Sequence, residues 1–288
     1  AAGENDTFLP GFSTGEIIPS NNFGEVLPDC DYIFLAVPVQ YLAEVVNSIP
    51  AGIFPETAPL VNLSKGIEID RVITPSEIID TIRPDADILT LSGPSFAREV
   101  AAGKPTVMVA GGNLETASGL QKALSSENLR IYRSEDRRGI ELSAALKNVL
   151  ALATGICDGL GFGDNARAAL IVRGIAEISR LVEKSGGKRS TVSGIAGLGD
   201  IVLTCTSGQS RNYRLGEMIA DGDSPRRIMK SVPWIAEGAF TAPAALELAE
   251  SAGVELPITR KVTEVLDGKI SPESATRDLM TRPLKEEF

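Results

Sequence analysis

Ile140-Glu-Leu-Ser-Ala-Ala-Leu-Lys-Asn-Val-Leu-Ala-Leu-Ala153 is the stretch on which the reading of the fold turns. Leu142, Ala145, Leu146, Val149, Leu150 and Ala153 recur at the spacing of one helix face, not at the two-residue spacing of a strand. The helical spacing continues toward the C-terminus, from about Asn165 to Lys184, Ser210 to Ala220, Ala242 to Ala252 and Pro257 to Leu266. No strand is expected after Tyr132.

Before Asp136 the rhythm is different. Asp31-Tyr-Ile-Phe-Leu-Ala-Val37 is an apolar run opened by acids and closed by Pro38, as in a buried parallel strand. Further strands are expected at Pro59–Ser64, Ile88–Ser92, Thr106–Ala110 and Leu129–Tyr132, with helices at about Tyr41 to Ser48 and Ala97 to Ala102. Strands alternating with helices imply βαβ units and a doubly wound sheet. The expected class is therefore α/β plus all-α. Ligands of such sheets bind beyond the carboxyl ends of the strands, which puts Pro38, Lys65 and Gly93 on one edge.

Composition narrows the chemistry. The chain has 288 residues, 43% of them hydrophobic, enough for one large domain or two ordinary ones. A net charge of −10 without a basic patch argues against nucleic acid as a partner, although convergent lysines and arginines can still reverse the field in one cleft. No uninterrupted run of 18 apolar residues is present, so no membrane span is expected, and no secretion leader is recognised. Three scattered cysteines, Cys30, Cys157 and Cys205, have neither disulfide nor zinc spacing and fit a reducing compartment. Histidine is absent altogether. That removes Ser-His-Asp and Cys-His mechanisms, makes a catalytic metal unexpected, and leaves proton transfer to Lys, Asp, Glu, Tyr or Cys.

Four segments carry candidate chemistry. Lys65, in Asn62-Leu-Ser-Lys-Gly66, follows a strand and reads either as a solvated loop lysine or as a contact to a bound anion or carbonyl oxygen. Ser92-Gly-Pro-Ser-Phe-Ala97 is either an ordinary capped turn or an anion site of small residues at a helix start. Lys147 lies among apolar neighbours. It either snorkels to water or sits in a desolvated cleft, where its pKa falls toward neutrality. Asp200 follows Gly194, Gly197 and Gly199 and precedes an apolar run, so its carboxylate needs a partner or a ligand. Nearby Ser210-Arg-Asn212 opens a helix with a hydroxyl, a guanidinium, an amide and free N–H groups, a set that suits phosphate. Gly159-Leu-Gly-Phe-Gly163 has a helix before it instead of a strand, and reads as a helix-to-helix turn.

With these residues in place, the chain resembles the bacterial-type NAD(P)-dependent glycerol-3-phosphate dehydrogenases. The matching phrases run in the family's order over nearly the whole chain. They include Phe8-Leu-Pro-Gly11, Leu35-Ala-Val-Pro38, Asn62-Leu-Ser-Lys-Gly-Ile-Glu68 and Ser92-Gly-Pro-Ser-Phe-Ala97. Ala145-Leu-Lys-Asn-Val-Leu150, Gly197-Leu-Gly-Asp-Ile-Val-Leu-Thr-Cys-Thr206, Gln209-Ser-Arg-Asn-Tyr-Arg-Leu-Gly216, Ala236-Glu-Gly238 and Glu255-Leu-Pro-Ile-Thr259 continue the match.

The resemblance implies hydride transfer between dihydroxyacetone phosphate and sn-glycerol 3-phosphate with NAD or NADP, supplying phospholipid synthesis in a cytoplasmic homodimer. It implies a Rossmann-like dinucleotide-binding domain over residues 1–137, and a helical substrate and catalytic domain over 138–288. It makes Lys147 the proton donor and acceptor at the substrate C2 oxygen, with Lys65, Asp200 and Thr204 as its catalytic companions. Gly93, Ser95, Ser210, Arg211 and Asn212 join Lys65, Lys147 and Asp200 in holding the substrate. Pro38, Lys65, Ala97, Arg211, Ile235 and Glu237 line the cofactor.

One departure is plain: no G-x-G-x-x-G turn is present. The chain enters at Asn5–Gly11, which in the family lies after the first two strands, so the dinucleotide fold is expected to be incomplete at its front. The alternatives are a cofactor-deficient phosphate-binding fragment and a related NAD(P)-dependent hydroxy-acid dehydrogenase. The latter is disfavoured by the joint presence of Ser92–Ala97 and Gln209–Asn212.

Overall fold

Along the short strands, successive side chains enter different cores, and this alternation organises the first half of the molecule. The computed structural model describes residues 5, 7, 9–13, 17–55, 57–283 and 286. Asp6 and Phe8 of the entry segment lie outside the described residues. Five strands, β1 (Ile33–Leu35), β2 (Leu60–Asn62), β3 (Ile88–Ser92), β4 (Thr106–Gly111) and β5 (Leu129–Ser134), form one sheet in sequential order. The interleaved helices are α1 (Phe23–Val26), α2 (Val39–Ser48), α3 (Pro75–Ile82), α4 (Ala97–Ala101) and α5 (Leu114–Leu124). Ile33, Leu35, Leu60 and Ile88 pack with Leu42 and Val46 of α2 and Ile78 and Ile79 of α3. Val61, Leu89, Leu91, Ala110 and Ile131 belong to a second core with Ala117 and Leu120 of α5. Both faces of β2 and β3 are thus covered, which is why these strands read as unbroken apolar runs.

The sheet is mixed. β1, β2 and β3 run parallel, β4 runs antiparallel to β3, and β5 runs parallel to β4. The reversal follows from the β3–β4 link, whose one helix has five residues. At 1.5 Å per residue it is too short to carry the chain back along the sheet, so β4 starts where β3 ends. The first strand is shorter than the apolar run suggests, pairing with β2 only over Ile33–Leu35, and Pro38 stands immediately before α2. α3 and α5, which periodicity alone did not reveal, open on local signals. Thr74 and Glu77 form a capping box ahead of Pro75, and the Asn113 side chain accepts from two backbone N–H groups of α5.

The second half is helical and is built around α6 (Arg137–Gly159), whose residues Gly139 to Cys157 are all buried. Packed with it are α7 (Gly163–Lys184), α8 (Arg189–Val192), α9 (Asp200–Cys205) and α10 (Arg211–Ala220). α11 (Pro225–Ser231), α12 (Glu237–Ser251), α13 (Pro257–Leu266) and α14 (Pro272–Met280) follow. Among the described residues, α6 alone is long and apolar enough to cross a membrane, and its apolar window is wholly enclosed by the fold. The sequence reading did not flag it, because Glu141 and Lys147 interrupt the apolar run.

Gly159 to Gly163 makes the turn between α6 and α7, with Gly161 and Gly163 in the left-handed region at φ 72° and 83°. The glycine-rich run before Asp200 forms a π-helical stretch, Ile195–Gly199, that runs directly into α9. Glycine also sets the tightest helix contact. A Cβ on Gly216 of α10 would lie 2.3 Å from the carbonyl oxygen of Leu152, and one on Gly155 of α6 would lie 2.0 Å from that of Tyr213. Gly216→Ala should therefore cost about 1–3 kcal/mol by overpacking, seen as a lower urea midpoint. Gly208→Ala, whose new methyl would meet nothing within 4 Å, should leave the midpoint in place.

Candidate active site

The carboxyl ends of β2 and β3 feed loops that face α6, α9 and the start of α12. The loop after β2 carries Lys65. Asn62 shapes it: its amide oxygen accepts from the Ser64 N–H at 2.8 Å, while its Nδ2 donates to the Ser64 carbonyl at 3.2 Å. The Ser64 hydroxyl donates to the Val37 carbonyl at 2.6 Å, tying this loop to the one after β1. The next residue, Gly66, sits under α12: a Cβ there would be 2.7 Å from Val39 Cγ1 and 3.1 Å from Glu237 Oε2.

At the centre, Asp200 receives two lysines. Lys147 Nζ donates to Oδ1 at 2.6 Å and Lys65 Nζ donates to Oδ2 at 2.7 Å. Lys147 also donates to the Thr204 hydroxyl at 2.7 Å, and that hydroxyl donates in turn to the Asp200 carbonyl at 2.6 Å, one helical turn back. Lys65 reaches the Gly93 carbonyl at 3.3 Å, and the Ser95 hydroxyl donates to the same oxygen at 3.0 Å. Gly93 lies at φ 145°, and a Cβ there would come within 2.9 Å of the Val107 carbonyl oxygen, so the position favours glycine.

Burial decides the electrostatics. The Lys147 side chain is 8% exposed and that of Asp200 is 2%, whereas Lys65 retains 23%. Burial, and then the charge of Lys65, lower the Lys147 ammonium to about 8 against the opposing pull of Asp200. Burial acts to raise the Asp200 carboxyl, but the two ammonium groups outweigh it and hold the group below the ordinary carboxylate range. The centre is therefore a buried carboxylate shared by a nearly neutral-range lysine and a partly exposed one.

Around it stand the other candidates. Ser210 caps α10, its hydroxyl accepting from the Tyr213 N–H at 3.2 Å. Arg211 is exposed on the first turn of α10, and Asn212 beside it is buried. The Asn212 amide oxygen accepts from the Gly238 N–H at 2.9 Å, which leaves its NH2 free to donate and joins the starts of α10 and α12. Glu237 is pushed up to about 7 by burial, with Arg211 and the Val39 backbone drawing it back. Its Oε2 and the Thr241 hydroxyl are buried without a partner among the described residues, and both face Gly66. An unpartnered carboxyl oxygen and a hydroxyl beside a glycine loop, next to Pro38, suit the amide and hydroxyl groups of a nicotinamide nucleoside. Ala97 opens α4 at an exposed position and Ile235 is half-buried; no described hydrogen bond or ion pair joins either to the lysine–aspartate centre.

The sequence reading passed over Thr241 and Glu141. The desolvation argument applied to Lys147 holds equally for an acid in the same apolar run, so Glu141 was detectable. Thr241, a neutral residue inside a helix, carried no such signal.

A mixed Rossmann-like sheet joined to a helical half, with a lysine–carboxylate pair where they meet, defines a nicotinamide-dependent oxidoreductase, and relatives narrow the class. Residues 1–118 match the N-terminal and 136–277 the C-terminal model of NAD-dependent glycerol-3-phosphate dehydrogenase. The glycerol-3-phosphate dehydrogenase [NAD(P)+] of Citrifermentans bemidjiense is 43% identical, with 99% of this chain and 86% of that protein covered. That of Bacillus velezensis is 39% identical over 97% of this chain and 82% of its own length. The crystal structure of glycerol-3-phosphate dehydrogenase from Coxiella burnetii superposes with a TM-score of 0.93 at 34% identity, covering 98% of this chain and 86% of that one. The chain belongs to the NAD(P)-dependent glycerol-3-phosphate dehydrogenase family. It is an enzyme of hydride transfer between dihydroxyacetone phosphate and sn-glycerol 3-phosphate, with NAD or NADP as cofactor.

Asp200→Ala would leave the Lys147 ammonium buried without its counter-charge. The expected result is a loss of about 3 kcal/mol of stability at pH 7, measured by urea unfolding. Lys147 should then titrate below its present value of about 8, because the group that raises it is gone.

Proposed function

We propose that Lys147 is the general acid and base of this reaction. The observation that carries the assignment is its ammonium, buried and lowered to about 8, with two of its three protons committed to Asp200 and Thr204. The third is free for the substrate C2 oxygen. In the reducing direction Lys147 gives that proton to the developing alkoxide, and Lys65, on the same carboxylate, polarises the oxygen. Asp200 and Thr204 orient Lys147 and keep its charge affordable in a buried setting. In the oxidising direction Lys147 receives the hydroxyl proton as the neutral amine.

The substrate phosphate is assigned to the start of α10. There the Ser210 hydroxyl, the Arg211 guanidinium and the Asn212 amide stand at a helix start, and Gly93 and Ser95 are assigned to the substrate with them. Pro38, Lys65, Ala97, Arg211, Ile235 and Glu237 are assigned to the nicotinamide cofactor, which when bound supplies or accepts the hydride. Residues 1–137 then serve as the dinucleotide-binding domain and 138–288 as the substrate domain. We propose further that the enzyme is a cytoplasmic homodimer feeding glycerol 3-phosphate into phospholipid synthesis. The exposed apolar residues Phe162, Val172 and Met280 on the helical half support an association surface there.

The direct test is oxidation of NADH and NADPH with dihydroxyacetone phosphate, by this chain and by one given an intact glycine-turn front; no turnover by the latter with either cofactor would refute the assignment. Lys147→Ala should lower kcat at least about 100-fold, and a near-normal kcat would remove Lys147 from its role. The pH dependence has a definite sign. Reduction needs the ammonium, so its kcat should fall as pH rises through about 8, while kcat for oxidation should rise through the same value. Arg211→Ala should chiefly raise KM for the phosphorylated substrate; an equal loss with an unphosphorylated analogue would count against phosphate recognition.

A further inference from the structure

Glu141 is 2% exposed and lies in the apolar core of α6, where an ionisable group is costly. Donors from three elements converge on its carboxyl group. Asn62 Nδ2 at the end of β2 donates to Oε1 at 2.9 Å, and the Thr90 hydroxyl on β3 donates to the same oxygen at 2.7 Å. From α3, the Ser76 hydroxyl donates to Oε2 at 2.6 Å and the Ser76 N–H approaches Oε1 at 3.1 Å. Arg137, one turn earlier on α6, and Thr74, at the cap of α3, complete the groups that face it. A staple between sheet and helix would need only one of these bonds.

The network leads somewhere specific. In one direction Glu141 lies on the same helix as Lys147, six residues away, or about 9 Å along a rigid axis. In the other it holds Asn62, whose remaining amide bonds to Ser64 shape the backbone just before Lys65. Both arms end on Asp200, one at each carboxylate oxygen. We infer that Glu141 is a positioning residue for the reaction: through Asn62 it holds the Lys65 loop at the separation from Lys147 at which both ammonium groups share Asp200. The inference rests on the roles proposed above for the two lysines.

Lys147 reports on that separation. The ionisable groups facing it are Lys65, Asp200 and Cys205. If the Lys65 loop recedes, a charge that lowers Lys147 is lost and Asp200 turns wholly to Lys147, and both changes raise its pKa. Glu141→Gln keeps the shape but sets an amide donor among donors, while Asn62→Ala cuts the link and leaves Glu141 in place. Each variant is compared with the parent in the ligand-free state by NMR titration of 13Cε-labelled lysine, with the Lys147 signal assigned by its disappearance in Lys147→Arg. Lys147 should titrate above about 8 in both variants, and the double variant should show no further rise.

The kcat–pH profile for glycerol 3-phosphate oxidation should move up by the same amount, a rise of one pH unit lowering the rate at pH 7 about tenfold. A lower melting temperature with Lys147 still titrating at about 8 would overturn the inference, as would additive effects in the double variant. If Glu141→Gln does not fold, Asn62→Ala decides by the same readings. Because the titration is read without substrate or cofactor, its failure is distinct from failure of the Lys147 assignment, which shows as undiminished kcat in Lys147→Ala.

Discussion

A single carboxylate, Asp200, buried between two ammonium groups, is the constraint on which the rest of the site depends. Two lysines this close repel each other, and burial makes each charge more expensive. The acid between them makes the arrangement tolerable and sets its geometry, because each of its oxygens takes one lysine. The lysines come from different halves of the molecule: Lys65 follows β2, whereas Lys147 sits on the central helix α6. Assembling the centre is therefore the same event as docking the sheet onto the helical half.

The helix α6 bears both the chemistry and the docking. Its apolar residues fill the helical core, Arg137 and Glu141 bond to the sheet side, and Lys147 points to Asp200. Charged residues on so buried a helix would ordinarily be destabilising, and Arg137, Glu141 and Lys147 are three of the five it carries. Each is matched by partners from elsewhere in the chain: Arg137 by Asp80, Glu141 by Asn62, Thr90 and Ser76, and Lys147 by Asp200 and Thr204. The sequence holds no G-x-G-x-x-G turn, while Lys65, Lys147, Asp200 and Thr204 meet in one hydrogen-bonded centre.

Much of this was legible in the sequence because burial leaves strong marks. The two-sided burial of β2 and β3 gave continuous apolar runs, the buried face of α6 gave a helical period, and Asp200 was conspicuous as a charge with no obvious water. What was not legible depended on partners distant in the chain. The reversal of β4 follows from the length of a link and from pairing, neither of which has a residue signature. The π-helical entry to α9 accommodates Gly197, where the Val192 carbonyl comes within 2.2 Å of the position a Cβ would take, a contact visible only in three dimensions. Glu141 stood out only as an acid in an apolar run; its partners were not legible, because its four donors lie 51 to 79 positions away.

The close approach of α6 and α10 has a further meaning. Gly155 and Gly216 bring the two backbones together, so the spacing of the helices that carry Lys147 and Arg211 is set by main-chain contact. On the proposed assignment, those two residues address opposite ends of one small molecule. The helix pair then holds both ends of the site on one frame, because neither helix can slide without driving a carbonyl into a neighbouring α-carbon.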